Sequence, residues 1–355
     1  MNTTTNGSSC SSPLDSTAGI IGQSFIYCLI FVVSLVGNSF IGIVVYKTQT
    51  LRKPRNYFIV NMAISDLLYP IIFIPWNLTY LLLDMAWLIG GPLGQALCKV
   101  VPFAGNLSVP VSVQSLLLIA VDRLGAVVFP LRSPLISSKM CPFFIVATWI
   151  VAIAVYSPYL FAFKLVEYSG EMACEGSWDD VFREFSSFAN YFTASYAVFL
   201  YVPTVLLVIL YSITVIKLKT QKLPGERSDN VERQRANRNR NVLKMAIAIV
   251  VGFVFCWLPS SVINLVILFA WESDRTLPCG FYLYKDIAFF VSLLSCAINP
   301  CICFTFSGNY RQGLKRLLKC FNAVYPGVNW DLHHKKKHRR VWETVPSTKI
   351  IIMKI

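Results

Sequence analysis

The fold is decided by residues 98–124, CKVVPFAGNLSVPVSVQSLLLIAVDRL. Cys98 and Arg123 stand 25 residues apart, which at about 1.5 Å per residue is roughly 37 Å of helix. A bilayer's hydrocarbon core is about 30 Å thick. One helix thus carries an oxidisable cysteine to one face of a membrane and the acid–base pair Asp122-Arg123 to the other. That layout suits a device that senses one side and reports to the other.

Outward from this helix, largely apolar windows of membrane-spanning length recur at 22–46, 56–83, 93–129, 141–163, 189–218, 242–270 and 281–306. Composition agrees: 55% of residues are hydrophobic and 14% charged, and mean hydropathy is +0.57, far from a soluble domain of this length. Backbone amides in lipid must pair internally, so the windows are expected to be helices. The expected fold is an all-α bundle of seven transmembrane helices. A polar arm precedes it over 1–21, a basic amphipathic helix follows over 307–320, and a basic tail runs over 321–355.

Basic residues set the orientation. Lys47, Arg52, Lys53 and Arg55 fall between spans one and two, Arg132 and Lys139 between three and four, and the run 219–240 between five and six. The tail adds 335–340, KKKHRR. The alternate loops are acidic, so the positive-inside rule puts the C-terminus in the cytoplasm and the N-terminus outside, at a plasma membrane. The net charge of +14 is then mostly a topology signal. It favours contact with anionic inner-leaflet lipid over nucleic acid. The first residues lack the basic start and apolar centre of a cleavable signal. Asn2 and Asn6 lie in glycosylation sequons on the arm.

Of eleven cysteines, Cys10, Cys98, Cys174 and Cys279 fall on the expected outer side, where disulfides persist. Cys98 with Cys174 would tether the loop after span four, and Cys10 with Cys279 the N-terminal arm; three pairings are open. Cys320, after the amphipathic segment, is a candidate for palmitoylation.

Ionisable groups inside a span are costly and usually functional. Asp66 is the clearest case. Asn38, Ser112, Ser295 and Asn299 are placed to converge on it, giving an oxygen-rich site suited to a hard monovalent cation such as Na⁺. A satisfied interior polar group is the plain structural reading. Arg123 admits two readings as well: a snorkelling interface arginine, or a switch that pairs in one state and is released in another. Pro75, Pro110, Pro158, Pro203, Pro259 and Pro300 interrupt the spans and favour kinks.

Together these residues resemble the rhodopsin-like (class A) G-protein-coupled receptors, over roughly 22–320. Gly37-Asn38 resembles that family's GN pair, Asn61 to Asp66 its sodium-site motif, and Trp87 to Gly90 its outer-loop signature. Asp122-Arg123-Leu124 is similar to the DRY box, and Trp149, Pro203 and Tyr211 to the markers of spans four and five. Cys256-Trp257-Leu258-Pro259, with Phe253 a turn below, resembles the toggle, and Asn299-Pro300-Cys301-Ile302-Cys303 the NPxxY motif. The resemblance implies that Cys174 is the partner of Cys98. It implies an activation switch of Asp122, Arg123, Tyr211, Phe253, Trp257, Pro259, Asn299 and Pro300. It further implies outward movement of span six, admission of a heterotrimeric G protein, arrestin as a further partner, and no required cofactor beyond an allosteric Na⁺.

Three departures stand out. Leu124 replaces the DRY tyrosine and Cys303 the NPxxY tyrosine, while the start of span six holds Asn237, Asn239 and Arg240 in place of an acid. Arg123 is therefore expected to lean on Asp122.

For the ligand, Gly105 occupies the position of the amine receptors' aspartate and Leu293 that of the opsins' lysine, against both classes. Between 165 and 189 the loop carries Glu167, Glu171, Glu175, Asp179, Asp180 and Glu184 against Arg183 alone. Such an acidic mouth would concentrate a basic peptide, although acidic outer loops also follow from the charge rule alone. Trp76, Asn106, Glu175, Phe192, Asn264 and Phe289 are the candidate ligand contacts, for an aromatic or amidated peptide end. The expected function is a neuropeptide receptor. A class A receptor for a lipid or small metabolite is the alternative, but the outer half of spans three, five and six holds no interior basic residue to meet an acid headgroup. A seven-helix transporter would need paired charges and repeated halves. An enzyme would need a nucleophile–base or metal-ligand cluster; His333 and His334 sit in a polar tail.

Overall fold

The computed structural model describes residues 14, 16–83, 87–129, 135–168, 170–182, 187–220, 230–272 and 278–324. Two units divide the chain, Met1–Lys315 and Arg316–Ile355. Asn2, Asn6, Cys10 and the tail lie outside the described residues, as do the side chains of Cys279 and Cys320.

The helices run α1 Thr17–Lys47, α2 Pro54–Leu68, α3 Ile74–Leu82, α4 Gly91–Val128, α5 Cys141–Tyr156, α6 Tyr159–Ala162, α7 Trp178–Phe182, α8 Phe188–Tyr196, α9 Val202–Thr220, α10 Asn230–Glu272, α11 Cys279–Leu293, α12 Ser295–Phe306 and α13 Gly308–Val324. Grouped by continuity, six helices among the described residues are long and apolar enough to cross a membrane. The pair Leu283–Leu293 and Ser295–Phe306, bent by 43°, makes up to seven.

The prolines explain several breaks. A proline lacks the N–H that would bond the carbonyl four residues back, and its ring clashes there. Wide π-turns at Tyr69–Phe73 and Ala197–Tyr201 contain the carbonyls that face Pro75 and Pro203, those of Ile71 and Phe199. Their closing bonds run Ile74 N–H to the Tyr69 carbonyl and Val202 N–H to the Ala197 carbonyl, five residues back. Pro158 sits in the step from α5 to α6.

The bend of the last span is not at Pro300, where the sequence favoured it, but at Leu294. Pro300 frees the Cys296 carbonyl, and that carbonyl is satisfied from α1 instead: Asn38 Nδ2 donates at 2.8 Å and Ser34 Oγ at 3.1 Å. The two helices touch closely at this point, because a Cβ on Gly37 would lie 2.7 Å from Pro300 Cβ. A glycine beside an asparagine on α1 thus complements a proline on α12. Span six also departs from expectation. Its helix starts at Asn230 rather than near 242, because 230–240 is too charged for a hydropathy window yet rich in residues that tolerate helix.

The middle of the bundle is joined by hydrogen bonds. Asn61 Nδ2 donates to Ser115 Oγ (2.9 Å) and Thr148 Oγ1 (3.1 Å), while Trp149 Nε1 donates to Asn61 Oδ1 (2.9 Å). One asparagine thereby ties α2, α4 and α5 with its amide satisfied on both sides.

The loop after α6 is a structured hairpin, which the sequence did not reveal. Strands β1 Phe163–Tyr168 and β2 Glu171–Gly176 pair antiparallel, with Leu165 opposite Cys174. Gly170, at φ 91°, makes the left-handed turn. Cys174 is disulfide-bonded to Cys98 at the head of α4. Further ties hold the hairpin down: Leu165 N–H donates to Gln95 Oε1 at 3.0 Å and Trp87 N–H to the Met172 carbonyl at 2.6 Å.

Candidate functional site: a cavity and an ion pair at opposite ends of one helix

The cavity lies among α4, α5, α8, α10, α11 and the π-turns, about 150 Å³ in volume. Asn106, Asn264, Ser195, Tyr196, Ser260 and Ser292 give it a polar lining; Phe73, Tyr69, Tyr156, Phe199 and Phe289 give it aromatic walls, and Trp257 also lines it. No charged side chain is in that lining. Gly105 adds no side chain of its own, and the Phe73 ring occupies that space, 2.9 Å from where a Cβ would stand. Asn264 Nδ2 reaches the Tyr196 hydroxyl at 3.5 Å, joining α10 to α8 across the cavity. Asn106 lies eight residues below Cys98, about 12 Å along the helix.

Of the expected ligand contacts, Asn106, Asn264 and Phe289 line this space. Trp76 stands one shell out, edge-on to Phe73 at 5.3 Å, and Phe192 stacks on Tyr196 at 4.3 Å. Glu175 is on the hairpin, where it accepts from the Tyr168 hydroxyl at 3.0 Å. That bond holds the Tyr168 pKa above its usual value. The hairpin is less acidic than the span 165–189 implies: Lys164, one residue earlier, faces Glu175 in the register and pairs with Asp180 at 2.6 Å. The Asp180 carboxylate raises the Lys164 pKa in turn.

Below the cavity is Asp66, 4% exposed. Its Oδ1 accepts from Ser112 Oγ at 3.0 Å and Ser108 Oγ at 3.4 Å, and its Oδ2 from Asn299 Nδ2 at 2.8 Å. Ser295 and Asn38 are not among its partners. Asn38 is committed to the carbonyl freed by Pro300, and Ser295 opens α12 just beyond the bend. Ser108, one helical turn before Ser112, takes the expected place of Ser295. Two buried amide oxygens, Asn299 Oδ1 and Asn38 Oδ1, have no hydrogen-bond donor.

At the far end of α4, Arg123 bonds to Asp122 Oδ2 through both Nη2 and Nε, the latter at 3.2 Å. Both side chains are largely buried, 11% and 6% exposed. Phe253 and Trp257 stand 6.3 Å apart on α10, linking the cavity wall to the helix interior. The buried Tyr211 hydroxyl has no partner.

Residues 37–302, most of the chain, match the family described as 7 transmembrane receptor (rhodopsin family). The chain belongs to that family. The receptor is 29% identical to the RYamide receptor of Drosophila melanogaster over 305 residues, 82% of this chain and 62% of that one. It thus spans less than two thirds of that relative. It is 29% identical to the neuropeptide Y receptor type 2 of Homo sapiens over 321 residues, covering 87% of this chain and 80% of the relative. The RYamide receptor of Tribolium castaneum is 26% identical over 304 residues, 82% and 79% of the two chains.

Cys303 of the receptor is fully buried, a thiol where the family motif has a phenol. Sequence reasoning missed most of the cavity wall, including Tyr69, Phe73, Tyr156, Ser195 and Ser260. Helical spacing held the signal: Tyr69 and Phe73 are four apart, and Trp257, Ser260 and Asn264 are three and four apart, one face in each case.

Proposed function

We propose that the receptor binds an extracellular peptide at its Cys98 end and activates a heterotrimeric G protein at its Arg123 end. The observation that carries this is the uncharged polar cavity beneath a hairpin bearing Glu167, Glu171 and Glu175. At about 150 Å³ it is smaller than the roughly 300–1,000 Å³ of ordinary small-molecule sites. It has room for one end of a longer ligand. Amide and hydroxyl groups suit a neutral, amidated end. A free carboxylate would lose its hydration with no cation to meet it. The acidic hairpin draws the basic remainder of the peptide. The names of the relatives, RYamide receptor and neuropeptide Y receptor, support a peptide ligand.

G-protein coupling is carried over from the family, with span six swinging outward and Arg123 leaving Asp122 to meet the partner. Binding acts as a population shift: the peptide favours one helix arrangement by its differential affinity. The receptor sits in the plasma membrane with the N-terminus outside, an orientation supported by the basic loops. Arrestin and inner-leaflet lipid are further partners on this reading.

Na⁺ fits the Asp66 site. The carboxylate, the hydroxyls of Ser108 and Ser112 and the unpaired oxygen of Asn299 are hard donors of the type such an ion takes. Bound there, the ion would hold the helices in the arrangement that binds agonist less tightly.

Arg123→Ala tests the switch. It is expected to cut agonist-driven nucleotide exchange on Gα while leaving surface expression and peptide binding in place. Undiminished exchange would refute the role given to Arg123.

A further inference from the structure

We propose that the turn joining α1 to α2 is a binding site for a phosphate monoester carried by a membrane lipid, the headgroup of a phosphoinositide. The proposal rests on the reading of this end of the receptor as cytoplasmic.

Tyr46 and Lys47 end α1, and a single 3₁₀ turn, Gln49–Leu51, folds the chain back on them. Arg52 thereby reaches the last turn of α1, where its Nη2 donates to the Tyr46 carbonyl at 2.6 Å. The Lys47 ammonium lies 5.9 Å and the Arg52 guanidinium 5.8 Å from the centroid of the same Tyr46 ring. Two positive charges are thus gathered around one ring, no farther apart than the sum of those distances.

No acid within their own stretch of chain offsets their mutual repulsion. Residues 46–56, YKTQTLRKPRN, contain neither Asp nor Glu. Neither Lys47 nor Arg52 is in the ion pairs formed by Asp122, Asp180 and Asp286. Lys47 also complements the carbonyl end of α1, but one cation suffices for that. Arg52 keeps N–H donors beyond the one given to Tyr46.

The turn is also pre-organised. Leu51 is buried, and its carbonyl accepts from Asn56 Nδ2 at 2.6 Å and from Lys53 N–H at 2.8 Å. Little ordering entropy remains to be lost on binding. Tyr46 itself is 71% exposed, as interfacial aromatics are. Beside it α13 docks on α1 so closely that a Cβ on Gly313 would stand 2.5 Å from Val44 Cγ1 and 3.3 Å from Thr48 Oγ1.

Such a pair of cations distinguishes headgroups. A phosphate monoester carries about −1.5 to −2 charges at pH 7 and three acceptor oxygens. A bisphosphate headgroup carries two such groups on one ring, one for each cation, with Arg52 able to take two oxygens in a fork. A phosphodiester or a phosphatidylserine headgroup offers a single net charge.

The test uses the full-length receptor in phosphatidylcholine nanodiscs, with fluorescent phosphatidylinositol 4,5-bisphosphate as the probe. Lys47→Gln and Arg52→Gln are each expected to weaken binding by roughly fivefold, the worth of one basic residue at an anionic surface. The double variant should lose more than either, while Lys285→Gln, a cation at the other end, should change nothing. Phosphatidylserine at equal total charge should displace the probe poorly. Equal displacement by phosphatidylserine, or full binding by the double variant, overturns the site. Soluble inositol trisphosphate binding as tightly as the lipid overturns the membrane source. Nanodiscs expose both faces, so these results do not depend on orientation. Orientation is read separately, from antibody access to an N-terminal tag on intact cells; a protected tag refutes the cytoplasmic assignment and leaves the binding result standing.

Discussion

Replacing Gly37 with alanine should loosen the joint between the first and last spans, and a glycine five residues along the same helix supplies the control. A Cβ at Gly37 would stand 2.7 Å from Pro300 Cβ and 2.8 Å from Pro300 Cγ. Carbon atoms settle at about 3.5–4.0 Å, so α12 must retreat by nearly an ångström or the side chains must deform. That retreat also stretches the bonds from Asn38 and Ser34 to the Cys296 carbonyl, now 2.8 and 3.1 Å. Overpacking of this kind costs about 1–3 kcal/mol. At Gly42 a Cβ would meet nothing within 4 Å. Both substitutions gain the same helix propensity, roughly 1 kcal/mol, so their difference isolates the clash. A mid-range difference of about 2 kcal/mol corresponds to roughly 4–8 °C in melting temperature at 2–4 °C per kcal/mol. The assay is thermal unfolding in detergent with a thiol-reactive dye, since Cys296 and Cys303 are 1% and 0% exposed and react only on opening. Gly37→Ala should melt clearly below Gly42→Ala. If the two melt together, the close packing of Gly37 on Pro300 is wrong, and with it the account of how Pro300 is accommodated.

Two further outcomes follow from buried polar groups. Trp149→Phe keeps an aromatic ring but removes the N–H that Asn61 Oδ1 accepts at 2.9 Å; an orphaned buried acceptor costs about 1–3 kcal/mol, so thermal stability should fall, and an unchanged midpoint would show that Asn61 does not depend on this bond. Asp66→Asn removes the charge at the proposed cation site: exchanging NaCl for choline chloride should shift agonist affinity in the unaltered receptor and not in the variant, and an equal salt response in both would refute Na⁺ binding there.

The apolar spans were legible because lipid demands long hydrophobic helices, and that demand is written residue by residue. Cys98 and Cys174 were paired correctly through the family resemblance, and the structure carries that bond. The hairpin that positions Cys174 was not read, since two six-residue strands in a charged loop leave only Gly170 as a turn signal. Span six was cut short at 242 because hydropathy sees apolar length, and helix 230–240 is polar. Asp66 was legible as a costly buried acid, and Ser112 and Asn299 do bond to it, but Asn38 and Ser295 do not: Asn38 is spent on the Cys296 carbonyl, and Ser108 stands where Ser295 was expected because the last span bends at Leu294. The cavity wall draws on six separated stretches of chain, a convergence that spacing within any one helix does not reveal.

The most direct test of the central claim is Gα activation in cells expressing the receptor, measured against basic peptides prepared in matched amidated and free-acid forms. The expected result is a saturable response to an amidated peptide, much weaker for its free-acid twin. The response should weaken when Glu167, Glu171 and Glu175 are neutralised together and weaken further when Asn106 and Asn264 are replaced by leucine. A surface-expressed receptor that responds equally to both forms, or whose response is indifferent to those five residues, would contradict the account.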